Sequence, residues 1–337
     1  MLKTNECVEL CKDKEKAEHL SPFFQSVFTR EANLNANNYS AEEIPTIDSV
    51  VITEPIVLQE LLKLDETKSP GPDVILAKLL NAVELAEPLC LLFQASLAAG
   101  RLPSDWKTAW IFPIHKSGSR ASANNYRQVL LTSICCKSME RIIKREMMQF
   151  LERHHLLSYA QHRFRRRRSC LTNLLYCLER WTRAIDEGNV MHAVYIDFQK
   201  ACDSVPHQRL LYKLNCIWVR GKLLNWIENL LIGRSQIGRL GDQQSAQVAV
   251  ESRIPQGSVL DPILFLIYID ECVTRLDCDT AMLADDIKRW KVIHNEADEA
   301  NLQANLNRLE EWSHNWLLPF NATKCNILRF GRTSSGH

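Results

Sequence analysis

Apolar residues recur at three- and four-residue intervals in the longer stretches of this chain and at every second position in several short ones, the signatures of amphipathic helices and half-buried strands. The spacing predicts a short helix over residues 17–29, followed by the polar connector NLNANNYSAEEIPT, so residues 1–45 read as peripheral. From Glu54 the run PIVLQELLKL is amphipathic, KSPGPD turns through Pro70, Gly71 and Pro72, and VILAKLLNAVELAEPLCLLFQASLAAG resumes a helical period with Gly100 as its C-cap. WKTAWIFPIHKSG has strand character, and SICCKSMERIIKREMMQFLERHH is a helix with both charge signs on its outer face. TNLLYCLERWTRAIDEG reads as a helix, MHAVYIDF as a buried strand, and VPHQRLLYKL as the helix after it. A Gly-rich connection leads to ESRIPQGSVLDPILFLIYIDECVTRL, a tight loop feeding an apolar helix, with Asp261 suited to the N-cap and Pro262 to the first turn. TAMLADDIKRWKVI alternates like two strands around a turn, EANLQANLNRLEEWSHNWLL is amphipathic, and FNATKCNILRFGR is a turn plus a strand. There is no internal repeat. Strands and helices mix as in an α+β domain, with charges at strand ends and helices behind the sheet.

The chemistry concentrates in three carboxylates. Asp197 ends the apolar run AVYID, and Asp285 and Asp286 sit at the tip of the expected hairpin. An unpaired carboxylate is expensive to bury. Two of them about 4 Å apart repel by roughly 4 kcal/mol at an effective dielectric near 20, so bringing the segments together requires a cation. Hard oxygen donors suit Mg²⁺, and a pair of such ions steadies the attacking and leaving oxygens of a phosphoryl displacement. The competing reading places the same aspartates in turns on a solvated surface.

With 337 residues and 46% hydrophobic content the chain can bury a large core in two or three subdomains. Its 41 basic and 40 acidic residues leave a formal charge of +1, so any nucleic-acid footprint must be local. RFRRRRS, with Arg163, Arg165, Arg166, Arg167 and Arg168, is the one dense basic block. The 12 cysteines form no CxxC pair and no Cys/His grouping at zinc spacing, and read as buried thiols of a reducing compartment. No signal-peptide core opens the chain, and its longest apolar run, 263–269, is too short to cross a bilayer. The expectation is an intracellular protein without a membrane partner, with nucleus and cytoplasm both open.

Taken in order, KSPGPD, WKTAWIFPIHKSG, NNYRQVLLTS, QHRFRRRRSCLTNLL, YIDFQKACDSVPH, IPQGSVLDPILFLIYID, LADD and WLLPFNATKC resemble the reverse transcriptases of non-LTR retrotransposons, the LINE-type and jockey-like polymerases, over residues 57–332. The resemblance implies a right-hand polymerase fold: fingers, and a palm whose antiparallel sheet is backed by helices, with the thumb absent or truncated. It divides the chain into a leader (1–53), fingers and the start of the palm (54–190), palm (191–332) and a tail (333–337). It further implies that Asp197 and Asp285 bind two Mg²⁺ ions, Mn²⁺ being an acceptable substitute, with Asp286 beside them. The partners would be an RNA template, a DNA primer and dNTPs, the primer 3′-hydroxyl attacking the α-phosphate of the incoming nucleotide.

Supporting roles follow from the same resemblance. Lys116 and Arg127 would meet the triphosphate, Gln256, Gly257 and Ser258 would support the nascent base pair and template, and Lys324 would protonate the leaving pyrophosphate. The five arginines would contact template or primer, with binding that weakens steeply in salt. Without the resemblance these residues read as surface charges, a plain strand-to-helix turn and a solvated or localisation-like basic loop.

Several positions depart from the family pattern. Cys202 stands where an aromatic excludes the ribose 2′-hydroxyl, so poor discrimination against ribonucleotides is expected. Leu283 replaces the aromatic before ADD, and Gln128 replaces a proline, which loosens a turn there. Val74, Arg163, Arg167 and Asp261 replace glycines; wherever such a glycine has positive φ, the substitution costs about 1 kcal/mol or more. With no endonuclease region before the polymerase motifs and no thumb-sized domain after them, the expectation is a truncated or decayed copy. The alternative is a catalytically dead nucleic-acid-binding remnant of the same domain. A splicing-associated maturase fits less well, and an RNA-dependent RNA polymerase less well still, since Ala284 takes the first place of the usual GDD.

Overall fold

The computed structural model describes residues 2–3, 8–31, 45–254, 257–274 and 277–331. Contacts gather the chain into two compact units, Met1–His154 with Val205–Asp261, and His155–Ser204 with Pro262–His337. Each draws on two separate stretches. Both four-stranded sheets pair strands that are far apart in sequence.

The first unit holds a four-stranded sheet in the order Tyr126–Leu131, Thr108–His115, Arg234–Leu240, Gln243–Val250. Its two central strands are parallel and the other pairs antiparallel. The last two strands overturn the expectation of a plain Gly-rich connection. Leu240 pairs with Gln243, so Gly241 and Asp242 form a two-residue hairpin loop with Gly241 at φ +56°, the backbone that such turns demand. The alternation was masked because Gln243–Val250 is largely exposed and carries polar residues on its outer face.

Residues 1–45 are not wholly peripheral either. The helix Asp13–Gln25 turns Ala17, Leu20 and Phe24 inward, and Leu20 and Phe24 join Leu2, Ala109, Ile111 and Leu130 in one buried cluster. Farther on, the long helical run after KSPGPD is broken into Ala77–Leu80, a 3-10 turn Val83–Leu85, and Ala86–Ala99, which ends at Gly100 with φ +62° as expected of a C-cap. The helix Ile134–Arg153 starts at Ser133, whose hydroxyl accepts the Cys136 N–H at 3.3 Å, and fully buries Met139, Ile142, Ile143 and Met147.

The second unit is an antiparallel four-stranded sheet in the order Asn326–Phe330, Val190–Ile196, Asp286–Ile293, Asp279–Leu283. One core cluster joins Met191, Ala193, Ala281 and Trp290 of the sheet to Cys177 and Ala184 of the helix Cys170–Asp186, with Trp181 stacked on Phe330 at 5.3 Å. The apolar helix Asp261–Ile269 buries every residue from 263 to 269, and the hydroxyl of Tyr268 donates to the carbonyl of Trp316. The helix Glu296–Asn315 is capped by Asn295, which accepts from the N–H groups of Ala297 and Asp298. Antiparallel sheet and backing helices are thus as the sequence led one to expect. No helix of the described residues is long and apolar enough to cross a membrane.

The departures from the family pattern sort themselves by backbone conformation. Val74 has φ +56° and Arg167 φ +59°, so both occupy left-handed positions that a glycine takes without strain. Arg163 is not among the positive-φ residues, and no such cost arises there. Gln128 lies within the strand Tyr126–Leu131, opposite Pro113, so no turn is loosened; its side chain accepts a 2.8 Å bond from Nη1 of the buried Arg253. The helix begins at Asp261 itself. Val74 is the more anomalous residue, because a β-branched side chain at positive φ is rare. Val74→Gly and Arg167→Gly should each stabilise the fold by about 1 kcal/mol in denaturant titrations, and Arg163→Gly should not.

Candidate active site

Strand register assembles the site. Val190–Ile196 pairs antiparallel with Asp286–Ile293, with Ile196 opposite Ile287. Asp197, the residue after Ile196, therefore ends beside Asp286, on strands whose backbones run about 4.8 Å apart. Leu283 pairs with Asp286, which leaves Ala284 and Asp285 as the two-residue loop of the expected hairpin. On the other flank, Asn326 pairs with Tyr195 and carries the preceding turn to the same end of the sheet. The N–H of Asn321 donates to the carbonyl of Asp197 at 2.8 Å, and Phe198 is locked against Phe320 at 5.0 Å. Lys324 Nζ then lies 3.1 Å from Asp197 Oδ2. A cavity of about 470 Å³ opens here, lined by Asp197, Asp286 and Lys324 together with Tyr195, Leu283 and Lys288.

The electrostatics match this crowding. Burial pushes the Asp285 carboxyl above its ordinary pKa of 3.8, the charges of Asp286 and Asp197 push it the same way, and Lys324 opposes them. The Lys324 side chain is 63% exposed and that of Asp197 21%, so their ion pair is a surface contact worth little. Among the described residues no three His, Cys, Asp or Glu side chains close into a metal cage. The donors present still suit a hard divalent cation. Mg²⁺ in phosphoryl-transfer sites is held by one or two carboxylates, with substrate phosphates and water supplying the remaining oxygens.

Behind the carboxylates lies a polar support that the sequence reading missed. Gln161, fully buried, accepts the Ala284 N–H on Oε1 at 3.0 Å and sends Nε2 toward the Ala284 carbonyl at 3.4 Å. Asn173, also buried, donates to the Met282 carbonyl at 3.1 Å and accepts from Lys288 Nζ at 3.0 Å. Ala284 has φ +58°, where an L-residue carries a strain of roughly 1 kcal/mol. A buried glutamine two residues before the arginine run was the available sequence signal, but nothing in its spacing announced a partner more than a hundred residues away.

The remaining candidates fall into three groups. Lys116 and Arg127 are exposed at the same end of one hairpin, where Ile114 pairs with Arg127. Gly257 has φ +86°, and a Cβ there would sit 2.8 Å from the Leu130 carbonyl oxygen, so the expected close backbone approach is made to the strand Tyr126–Leu131. Gln256 lies outside the described residues. Ser258 faces inward: it is buried, and its hydroxyl donates to the Glu140 carboxylate, which also accepts from the N–H of Val259 at 2.5 Å and of Leu260 at 3.1 Å. That anchorage, and not a solvent-facing contact, occupies the serine.

The arginine block is similarly divided. Arg165 donates to the Ser158 carbonyl at 2.6 Å and Arg168 to that of Tyr159, so these two guanidinium groups brace their own loop. Arg163, Arg166 and Arg167 are exposed, with Arg163 over the Phe164 ring at 5.0 Å. Cys202 is half-buried in the short helix Ala201–Ser204, five residues past Asp197.

An antiparallel sheet with aspartates at the adjoining ends of its two central strands, backed by helices, is the palm of a right-hand polymerase, and the solved structure of apo telomerase from Candida tropicalis, truncated from its C-terminal domain, shares the fold with a TM-score of 0.52 and 13% identity over 75% of this chain and 57% of that one. Residues 114–334 match the family model described as reverse transcriptase (RNA-dependent DNA polymerase), and the chain belongs to that family. Among curated relatives, the probable RNA-directed DNA polymerase from transposon BS of Drosophila melanogaster is 28% identical over 94% of this chain and 37% of its own length. The RNA-directed DNA polymerase from mobile element jockey of the same fly is 26% identical over 82% of this chain and 31% of its own. The chain thus spans about a third of the length of these relatives, and the likeness to the polymerases of non-LTR elements stands.

The raised pKa of Asp285 has a consequence for stability without metal. Below pH 3.8 the carboxyl is protonated whether the chain is folded or not, and contributes nothing. As pH rises, the unfolded chain ionises first, so a penalty on the folded state grows until the folded-state group has also lost its proton and stays constant above that. Asp285→Asn should therefore raise the melting temperature in chelator at neutral pH, and the gain should disappear below about pH 4. Thermal scans across that range check it.

Proposed function

We propose that this chain is an RNA-directed DNA polymerase domain of a non-LTR mobile element, adding deoxynucleotides from dNTPs to a primer 3′-hydroxyl opposite an RNA template. The observation that carries the reading is the meeting of Asp197 with the Asp285–Asp286 turn, with Lys324 as their counter-charge. Asp197 and Asp285 are the residues to hold two divalent ions, Mg²⁺ or Mn²⁺, with Asp286 beside them. When bound, such ions supply charge stabilisation to the attacking and leaving oxygens of an in-line displacement.

The chain's own groups divide the rest of the task. Asp197 and Asp286 concentrate negative charge at one end of the cavity, where only a cation-bearing triphosphate is welcome. Lys324, exposed and loosely paired with Asp197, gives a proton to the departing pyrophosphate in this reading. Within the first unit, Lys116 and Arg127 are exposed cations of the kind that bind phosphate oxygens, and Gly257 lets the backbone of its loop pack closely on the strand Tyr126–Leu131. Ser258 serves that loop indirectly, through Glu140. Of the basic block, Arg163, Arg166 and Arg167 are the exposed members and meet template or primer phosphates, while Arg165 and Arg168 shape the loop that presents them.

The deciding experiment is extension of a DNA primer on an RNA template with Mg²⁺, alongside Asp197→Ala and Asp285→Ala. Extension that both substitutions abolish is the expected result; no extension, with salt-sensitive RNA binding retained, would leave a binding remnant instead. Lys324→Met should slow the chemical step by about a hundredfold, the lower range of general acid catalysis. Cys202→Phe should restore the preference for deoxy- over ribonucleotides that the smaller side chain forgoes, read from the two nucleotide classes supplied separately. Arg166→Gln should lower the salt slope of single-stranded RNA binding by about 0.7, the share of one phosphate contact.

A further inference from the structure

We infer that Gln161 is the positioning residue of the Asp285–Asp286 turn, holding Ala284 in the backbone conformation that presents both carboxylates. The inference rests on the polymerase reading for its consequence, but its geometry stands alone. Residues 160–162 run alongside Met282 as a parallel bridge: the N–H of Met282 donates to the Ala160 carbonyl at 2.8 Å, and the N–H of His162 to the Met282 carbonyl at 2.9 Å. That pairing stops two residues short of the loop. The Gln161 side chain takes over, its carboxamide meeting both the N–H and the C=O of Ala284.

A primary amide is the one uncharged side-chain group that offers donor and acceptor in the plane needed to copy a peptide partner, which asparagine would present from too short a stem. The second acceptor site of Oε1 is also used, by the N–H of Arg163 at 2.9 Å. One buried oxygen therefore ties the start of the basic loop to the turn that carries the carboxylates.

The clamp matters because of what it holds. A two-residue hairpin loop wants glycine or asparagine where φ is positive, and this chain has alanine there at φ +58°. Left to itself the turn would relax and re-aim Asp285. The glutamine makes relaxation unfavourable, since leaving this conformation abandons two hydrogen bonds of a side chain that is itself fully buried.

The test compares Gln161→Met, which keeps volume and removes both bonds, with Gln161→Glu, which keeps the acceptor only. In the metal-free chain the Ala284 amide should exchange with solvent at least about tenfold faster in Gln161→Met, while the amide of Ile287 is unchanged. Mn²⁺ affinity, read from the paramagnetic resonance signal of the free ion, should fall by about tenfold or more, with Gln161→Glu losing less. Adding Ala284→Gly to Gln161→Met should recover most of that affinity, because glycine takes the positive φ without a clamp; a residue that merely filled space would show no such rescue. A folded Gln161→Met chain with ordinary Ala284 exchange and ordinary Mn²⁺ affinity would overturn the inference. Should that variant fail to fold, Gln161→Glu decides: unchanged affinity and exchange overturn it, a partial loss upholds it. Absence of primer extension by the parent chain would count against the polymerase reading alone, since exchange and Mn²⁺ binding still report on Gln161.

Discussion

One strand pairing governs everything downstream: Val190–Ile196 against Asp286–Ile293, in the register that sets Ile196 opposite Ile287. A slip of one residue would turn every side chain of one strand to the other face and carry Asp197 away from Asp286. What holds the register is apolar. Met191, Ala193, Ala281 and Trp290 are buried in one cluster beneath the helix Cys170–Asp186, and full burial of each large side chain contributes roughly 1.5–3 kcal/mol. Two adjacent carboxylates at the strand ends oppose this with roughly 4 kcal/mol when about 4 Å apart. The cluster outweighs the charges, so the sheet forms and the carboxylates are brought together against their own repulsion.

Much of this was legible in the sequence because the signals are local. The hairpin around Asp285 and Asp286 declared itself by alternation on both sides of a short polar tip, and the strand ending at Asp197 by its apolar run. The motif order supplied the rest of the second unit, including the turn and strand that bring in Lys324. What stayed hidden was long-range. The hairpin Arg234–Leu240 with Gln243–Val250 lacks a buried face strong enough to show its period, and the inward residues Leu20 and Phe24 of the first helix have partners such as Ile111 that no local window contains. Gln161 and Glu140 belong to the same class. Their polarity is visible in the sequence, but the backbone groups they satisfy lie 123 and 119 residues away.

Backbone strain separates into two kinds. At Ala284 the positive φ is met by a dedicated partner, so the cost is local and a neighbouring side chain offsets it. At Val74 and Arg167 the positive φ is one that glycine takes without strain, and the side chain of Val74 is largely exposed, with no packing gain to set against the strain. The first kind accompanies a site that needs a particular geometry. The second only lowers the margin by which the fold holds.

Lys324 shows how such a site tolerates its own charge. A deeply buried counter-ion would neutralise Asp197 more completely, yet it would also be costly to displace once desolvated and paired. An ammonium that is 63% exposed makes a weak, salt-screened contact, so Asp197 gives up little when a stronger cation competes for it. Asp285 completes the arrangement: burial first, and the charges of Asp286 and Asp197 after it, raise its pKa above the ordinary carboxylate value, so the fold sustains this crowding at a cost that Lys324 only partly relieves.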